Sequence, residues 1–230
     1  MQNELLWFLM LIAAFAMVMI SFRLWGKMGL FIWVPISVIL ANVQVVKLVN
    51  LFGLTATLGN IVYASTFLVT DMLSEHYGKK EAQKAVIFGL VSMIALVVLT
   101  QFALWFTPAS DDSSQEHLAA IFGLMPRIVL GSVTAYLLSQ FHDVWAYHFW
   151  KNRFPNQLWL RNNASTMVSQ LIDSIVFCLI AFLGEFPFSV VLEIIFTTYI
   201  FKWIVAALDT PFLYLSKMLV KQKQIADLRD

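Results

Sequence analysis

The stretch Asn60–Ala82 reads NIVYASTFLVTDMLSEHYGKKEA. It starts as an apolar helix suited to lipid, gathers Thr70, Asp71, Ser74 and Glu75 near its end, and breaks at Gly78 into Lys79 and Lys80. Asn60, Tyr63, Phe67, Asp71 and Ser74 are spaced by three or four residues, so they line one helical face. A carboxylate facing hydrocarbon costs several kcal/mol. That face therefore turns inward, toward protein, water or a ligand. The Gly-Lys-Lys stop predicts a cytoplasmic end, because basic residues collect on that side of a membrane.

The rest of the chain fits that reading. It is 60% hydrophobic and only 13% charged over 230 residues, against about a quarter charged in soluble domains. A chain this apolar cannot hide its side chains in one soluble core, and it reads as a polytopic membrane protein. A net charge of +1 gives no sign of a nucleic-acid partner. The single cysteine, Cys178, lies in an apolar run and reads as a buried, inert thiol. The N-terminal run has no basic residue before it and no small-residue cleavage site, so it reads as a retained span.

About seven apolar segments are long enough to cross hydrocarbon: 5–22, 30–51, 58–76, 84–106, 126–149, 163–184 and 188–216. Arg23 and Lys27 follow the first, and Lys79, Lys80 and Lys84 the third. Lys151, Arg153 and Arg161 follow the fifth, and Lys217, Lys221, Lys223 and Arg229 the seventh. The intervening loops carry Asp111, Asp112 and Glu116, or Glu185, or almost no charge. This alternation predicts an outside N-terminus and a cytoplasmic C-terminus. Six spans stay open as the alternative, if segment one lies on the membrane or segment three is re-entrant. Within the longest outer loop, HLAAIFGLM (residues 117–125) predicts a short interfacial helix. Pro126 and Pro187 suit the first turns of segments five and seven, and Pro211 predicts a kink in the latter. Trp105, Trp145, Trp150 and Trp159 sit where interfacial anchors are expected. No repeat or soluble domain interrupts residues 1–230, which read as one membrane domain.

Polar residues within the spans form a constellation. Segment two carries Asn42, Gln44 and Lys47; segment five carries Arg127 at its outer end, then Tyr136, Gln140 and Asp143 at helical spacing. Segment six carries Asn163, Thr166, Gln170 and Asp173 on one face, and segment seven Tyr199, Lys202 and Asp209. Asp173 and Lys202 fall near mid-membrane and should pair, whereas Asp71, Asp143, Asn163 and Asp209 fall in the inner half. For Asn42, Asn60, Thr166 and Glu75, helix-to-helix contact is an equally good reading; Lys47 and Arg127 read as snorkelling outward, and His142 and His148 as solvated near the cytoplasmic end. Ionisable groups deep in a membrane are functional candidates. Carboxylate, amide and aromatic groups together suit a flat, polar heterocycle, its edges read by hydrogen bonds and its faces by stacking.

Enzyme motifs are missing. There is no G-x-x-x-x-G-K-[ST], no H-E-x-x-H, no G-x-S-x-G and no Cys/His metal spacing. The aspartates leave an intramembrane enzyme as a weaker alternative, with no motif around them.

STFLVTD (65–71), YGKKEA (77–82), PRI and AYLLSQFHD (126–128 and 135–143), WLRNNASTMVSQLIDS (159–174) and YIFK (199–202) together resemble the queuosine precursor transporters of the vitamin uptake group. The resemblance spans Asn42 to Pro211 and rests on order and spacing together. It implies an all-α bundle of six to seven spans in the cytoplasmic membrane, similar to the substrate-binding subunits of energy-coupling-factor vitamin importers. It implies import of 7-deazaguanine bases (preQ0, preQ1 or queuine) for tRNA queuosine salvage, without a cofactor. By position it points to Asn42, Thr70, Asp71, Arg127, Gln140, Asp143, Asp173 and Lys202, with Gln170 where an amide is expected. Gln44 and Phe67, beside Asn42 and Asp71, complete the candidate substrate site. Glu75 and Asp209 fall outside the family pattern. Asp71 or Asp143 is suited to a coupling proton or ion. The sequence leaves open that choice, a separate energising module, and pairing with a second copy.

Overall fold

The structure, a computed structural model, describes residues 2–45, 47–52, 54–123, 126–184, 187–225 and 227. Glu185, Arg229 and the last two residues of HLAAIFGLM, Leu124 and Met125, lie outside the described residues.

α1 (Gln2–Gln44) is two antiparallel arms, 2–25 and 27–44, reversed at Gly26. Gly26 has φ +54°, a backbone that favours glycine. Gly29 lets the returning arm close up: a Cβ there would stand 2.1 Å from the Ser21 carbonyl oxygen. The second arm stops at Gln44, short of the expected residue 51. Residues 48–57 instead form an antiparallel hairpin, β1 (Leu48–Leu51) with β2 (Leu54–Thr57), in register Leu48 to Thr57 through Leu51 to Leu54. An apolar run of strand length cannot be told from a helix end by hydrophobicity alone, and here the antiparallel pairing of Leu48–Leu51 with Leu54–Thr57 makes it strand.

α2 (Gly59–His76) is the centre of the bundle, packed against α1, α3, α5 and α7. The expected inward face is correct but too narrow. Ile61, Val62 and every residue from Ala64 to Ser74 are buried, so the helix is enclosed all round. α3 (Lys79–Trp105) is its opposite, with Ile87, Val91, Ile94, Val98 and Phe102 exposed. After α3 come α4 (Gln115–Leu118) and a π-turn (Ala119–Gly123), the short helix expected there. α5 (Pro126–Arg153), α6 (Leu158–Phe182) and α7 (Phe188–Lys221) complete the fold, with α5 and α6 the closest pair.

Counting both arms of α1, seven long helices form an all-α membrane bundle. Among the described residues, four helical stretches are long and apolar enough to cross a membrane by composition alone: Gln2–Gln44, Lys79–Trp105, Leu158–Phe182 and Ile194–Lys221. Exposed Leu, Ile, Phe and Trp side chains coat the outer helices, as lipid contact requires. Pro187 caps α7 rather than opening its first turn, and the helix continues through Pro211. Trp105, Trp145 and Trp159 are exposed, and Cys178 is buried.

The two ends of the bundle differ in charge. The N-terminus meets the hairpin, with the Phe52 N–H donating to Glu4. At the other end Asp227 clasps the α1 reversal, accepting from the Lys27 N–H at 3.0 Å and the Tyr77 hydroxyl at 2.8 Å. Burial and that carboxylate hold the Tyr77 proton well above the ordinary phenol range. Lys27, Lys79, Lys84, Lys151 and Lys217 gather at this second end.

Candidate functional site

The interior carries two polar layers stacked along α2. The upper layer surrounds Asp173, on the middle of α6, and Lys202, on the middle of α7. These side chains form an ion pair with only 6% and 3% of their surfaces exposed. The second carboxylate oxygen, Oδ1, accepts from the Tyr63 hydroxyl at 2.8 Å and the Ser139 hydroxyl at 3.2 Å. The Lys202 ammonium also lies 5.4 Å from the centre of the Tyr63 ring, within reach of a cation–π attraction.

This pair lies at the wall of a cleft that also meets Asn42, Asn60, Tyr63, Tyr136 and Phe177. Asn42 donates to the Val38 carbonyl at 2.9 Å and to the Met93 sulfur at 3.4 Å. Tyr136 is buried, and its hydroxyl has no partner among the described residues. Gly89 on α3 makes room for it: a Cβ there would fall 1.9 Å from that hydroxyl oxygen. The cleft thus offers an anion, a cation, two amides and aromatic rings around one hollow.

The lower layer begins at Thr66 of α2, which accepts from the Gln140 amide at 3.1 Å. One turn on, Thr70 reaches Asp143 at 3.5 Å, and Thr166 donates to Asp71 at 3.2 Å. Asp71 is eight residues beyond Tyr63, or about 12 Å along a helix rising 1.5 Å per residue. Asp209 of α7 joins this layer and accepts from the Asn162 amide at 2.8 Å. Asn163, the residue expected here, is only half-buried and donates to Thr210 at 2.8 Å.

Below both layers, Glu75 gathers Arg161, Lys151 at 3.3 Å and Lys217 at 3.1 Å, and accepts from the Tyr147 hydroxyl at 2.9 Å. Arg161 is buried, so this is an internal knot tying α2, α5, α6 and α7 at their shared end.

Of the predicted site residues, Asn42, Asp173 and Lys202 meet at the cleft. Asp71, Gln140, Asp143 and Gln170 are fully buried outside its lining. Arg127 caps α6 instead, donating to the Ile180 carbonyl at 2.7 Å and to that of Leu183. Phe67 packs edge-on to Tyr63 in the core, and Gln44 closes α1 away from the cleft lining. Tyr63 and Tyr136 were legible only as helix-face residues, and the cleft brings them to the site. His142 is not simply solvated, since its ring lies 2.9 Å from the Ser169 hydroxyl.

A family model described as vitamin uptake transporter matches residues 57–216. A Bacillus subtilis (strain 168) protein named "Probable queuosine precursor transporter" is 45% identical over 222 residues, 96% of this chain and 97% of its own length. No solved structure matches the chain.

Proposed function

The chain belongs to the vitamin uptake transporter family, a membrane transporter and not an enzyme, and from that premise we propose that it imports queuosine precursors, the 7-deazaguanine bases preQ0, preQ1 or queuine. The observation that carries this reading is the Asp173–Lys202 pair at the cleft wall. A buried ion pair is weak support for stability, because desolvation offsets its attraction. Its worth here lies in recognition. A 7-deazaguanine presents N1–H and a 2-amino group beside a carbonyl. Asp173 accepts from the two donors, and Lys202 or an Asn amide donates to the carbonyl. Tyr63 and Tyr136 stack against the ring. Asn42 stands at the mouth, while Gln140, Gln170 and Asp143 back the floor and Asp71 lies deeper. Arg127, Gln44 and Phe67 position the helices rather than touch the base.

The same reading sets the membrane orientation. The lysine-rich end is cytoplasmic, and the hairpin end, beside the cleft residues Val45, Gly59 and Asn60, faces outward across the cytoplasmic membrane.

Transport is tested in a host that must salvage preQ1 to make tRNA queuosine. Wild type restores queuosine and Asp173→Ala, expressed at the same level, does not. Normal salvage by the variant would remove Asp173 from the site. The same assay in a host without energy-coupling modules tests independence: uptake there supports a self-sufficient importer, and its absence favours a substrate-capturing subunit.

A further inference from the structure

The lower polar layer gathers three buried carboxyl groups. Asp71, Asp143 and Asp209 are fully buried on α2, α5 and α7, and the carboxylates of Asp71 and Asp143 adjoin each other. Asp71 Oδ1, Asp143 Oδ1, Gln140 Oε1 and Asn162 Oδ1 are sealed from water and have no hydrogen-bond partner among the described residues. Partnerless buried donors stand on the surrounding helices as well: the Gln170 amide, the Ser74 hydroxyl and Arg161 Nε, with the Tyr136 hydroxyl in the cleft above. A buried acceptor left this way costs free energy, and for two adjoining carboxylates the remedy nearest to hand is a hydrogen shared between them.

Among the described residues no cation pairs with these carboxyl groups. Lys202 above is held by Asp173, and Lys151, Arg161 and Lys217 below are held by Glu75. The remaining neighbours are neutral donors: Thr70 from α2, Ser165, Thr166 and Ser169 from α6, and Tyr147 one turn down α5. Among the described residues no three Asp, Glu, His or Cys groups converge as a metal ion requires. Two touching carboxylates away from water cannot both stay ionised, and a single proton between them turns repulsion into a short, strong hydrogen bond.

We propose that Asp71 and Asp143 hold a proton between them and that its binding and release is coupled to the import step, a proposal that rests on the importer reading above. The proton sits as O–H on one carboxyl and donates to the other. It leaves to water at the Glu75 end when α2 and α5 part, and the empty pair takes up another from the outer side. Only O–H bonds form and break.

Full-length protein in liposomes, with preQ1 as the probe, tests the coupling. An inwardly directed proton gradient at equal sodium raises initial uptake several-fold, a protonophore removes the increase, and Asp143→Asn shows no response to the gradient. Uptake driven by a sodium gradient alone, or indifferent to both, would overturn the proposal. Infrared spectroscopy of the same samples reads the proton directly. Wild type at neutral pH shows a protonated-carboxyl band that shifts in D2O and is lost in both Asp71→Asn and Asp143→Asn. Absence of that band in wild type would also overturn it. A wrong substrate looks different: no preQ1 uptake under any gradient, with the band intact and lost in both variants, defeats the importer reading for this base and supports the proton site.

Discussion

The two polar layers inside this bundle handle buried charge in opposite ways. In the upper one, Asp173 has its own cation, Lys202, and two hydroxyl donors, and it faces a cleft. In the lower one, Asp71, Asp143 and Asp209 pair with no lysine or arginine among the described residues and are closed from water. Both layers hang from the same helix, α2, two turns apart. A charge balanced by a fixed partner can be exchanged for a polar ligand of matching pattern. A buried carboxyl without one is most simply kept neutral by a proton. On the reading proposed above, the difference separates recognition from coupling within a single interior.

Substitutions can break that contrast, and Lys202→Met should do so most severely. It strands the Asp173 carboxylate and should destabilise the protein by about 3–5 kcal/mol, read as a lower melting temperature in detergent and no queuosine salvage. The double variant Lys202→Met with Asp173→Leu should recover most of the melting temperature and none of the salvage. Next comes Gly89→Ala, whose new methyl displaces Tyr136 toward the cleft; overpacking of this kind costs about 1–3 kcal/mol and should weaken preQ1 binding more than it lowers the melting temperature. Asp143→Asn sharpens the comparison from the other side. An amide brings its own hydrogens to the lower layer, so the melting temperature should stay within about 1 kcal/mol equivalent of wild type, where loss of the upper layer's cation does not. The smallest effect belongs to Lys84→Ala. Its pair with Glu81 at 2.6 Å is exposed, and such pairs are worth about 0–1 kcal/mol, a baseline for what burial adds at Asp173.

The sequence disclosed helix faces better than it disclosed depth. Spacing put Tyr136, Gln140 and Asp143 on one face of α5, and all three are indeed buried. It could not say that Tyr136 reaches the cleft while Asp143 lies a layer below, because the axial register between helices is set by packing. For α2 the polar residues revealed one inward face; its enclosure on every side follows from four neighbouring helices that no local pattern encodes. The hairpin at 48–57 was hidden because its residues prolong an apolar run. The Glu75 knot was hidden because Arg161 is 86 residues away in the chain. Asp173 and Lys202 were legible because two opposite charges so deep in apolar helices have little choice but each other.

The most direct test of the central claim is the affinity of purified protein for preQ1, measured by calorimetry for wild type and Asp173→Asn. The substitution keeps the shape and removes the acceptor charge that meets N1–H and the 2-amino group. Loss of one such charge-assisted contact, at about 1.5–3 kcal/mol, predicts binding weaker by roughly ten- to hundredfold, with the fold intact by its melting curve. Equal affinity in the two proteins would contradict the assignment of this cleft as the place where the base is read.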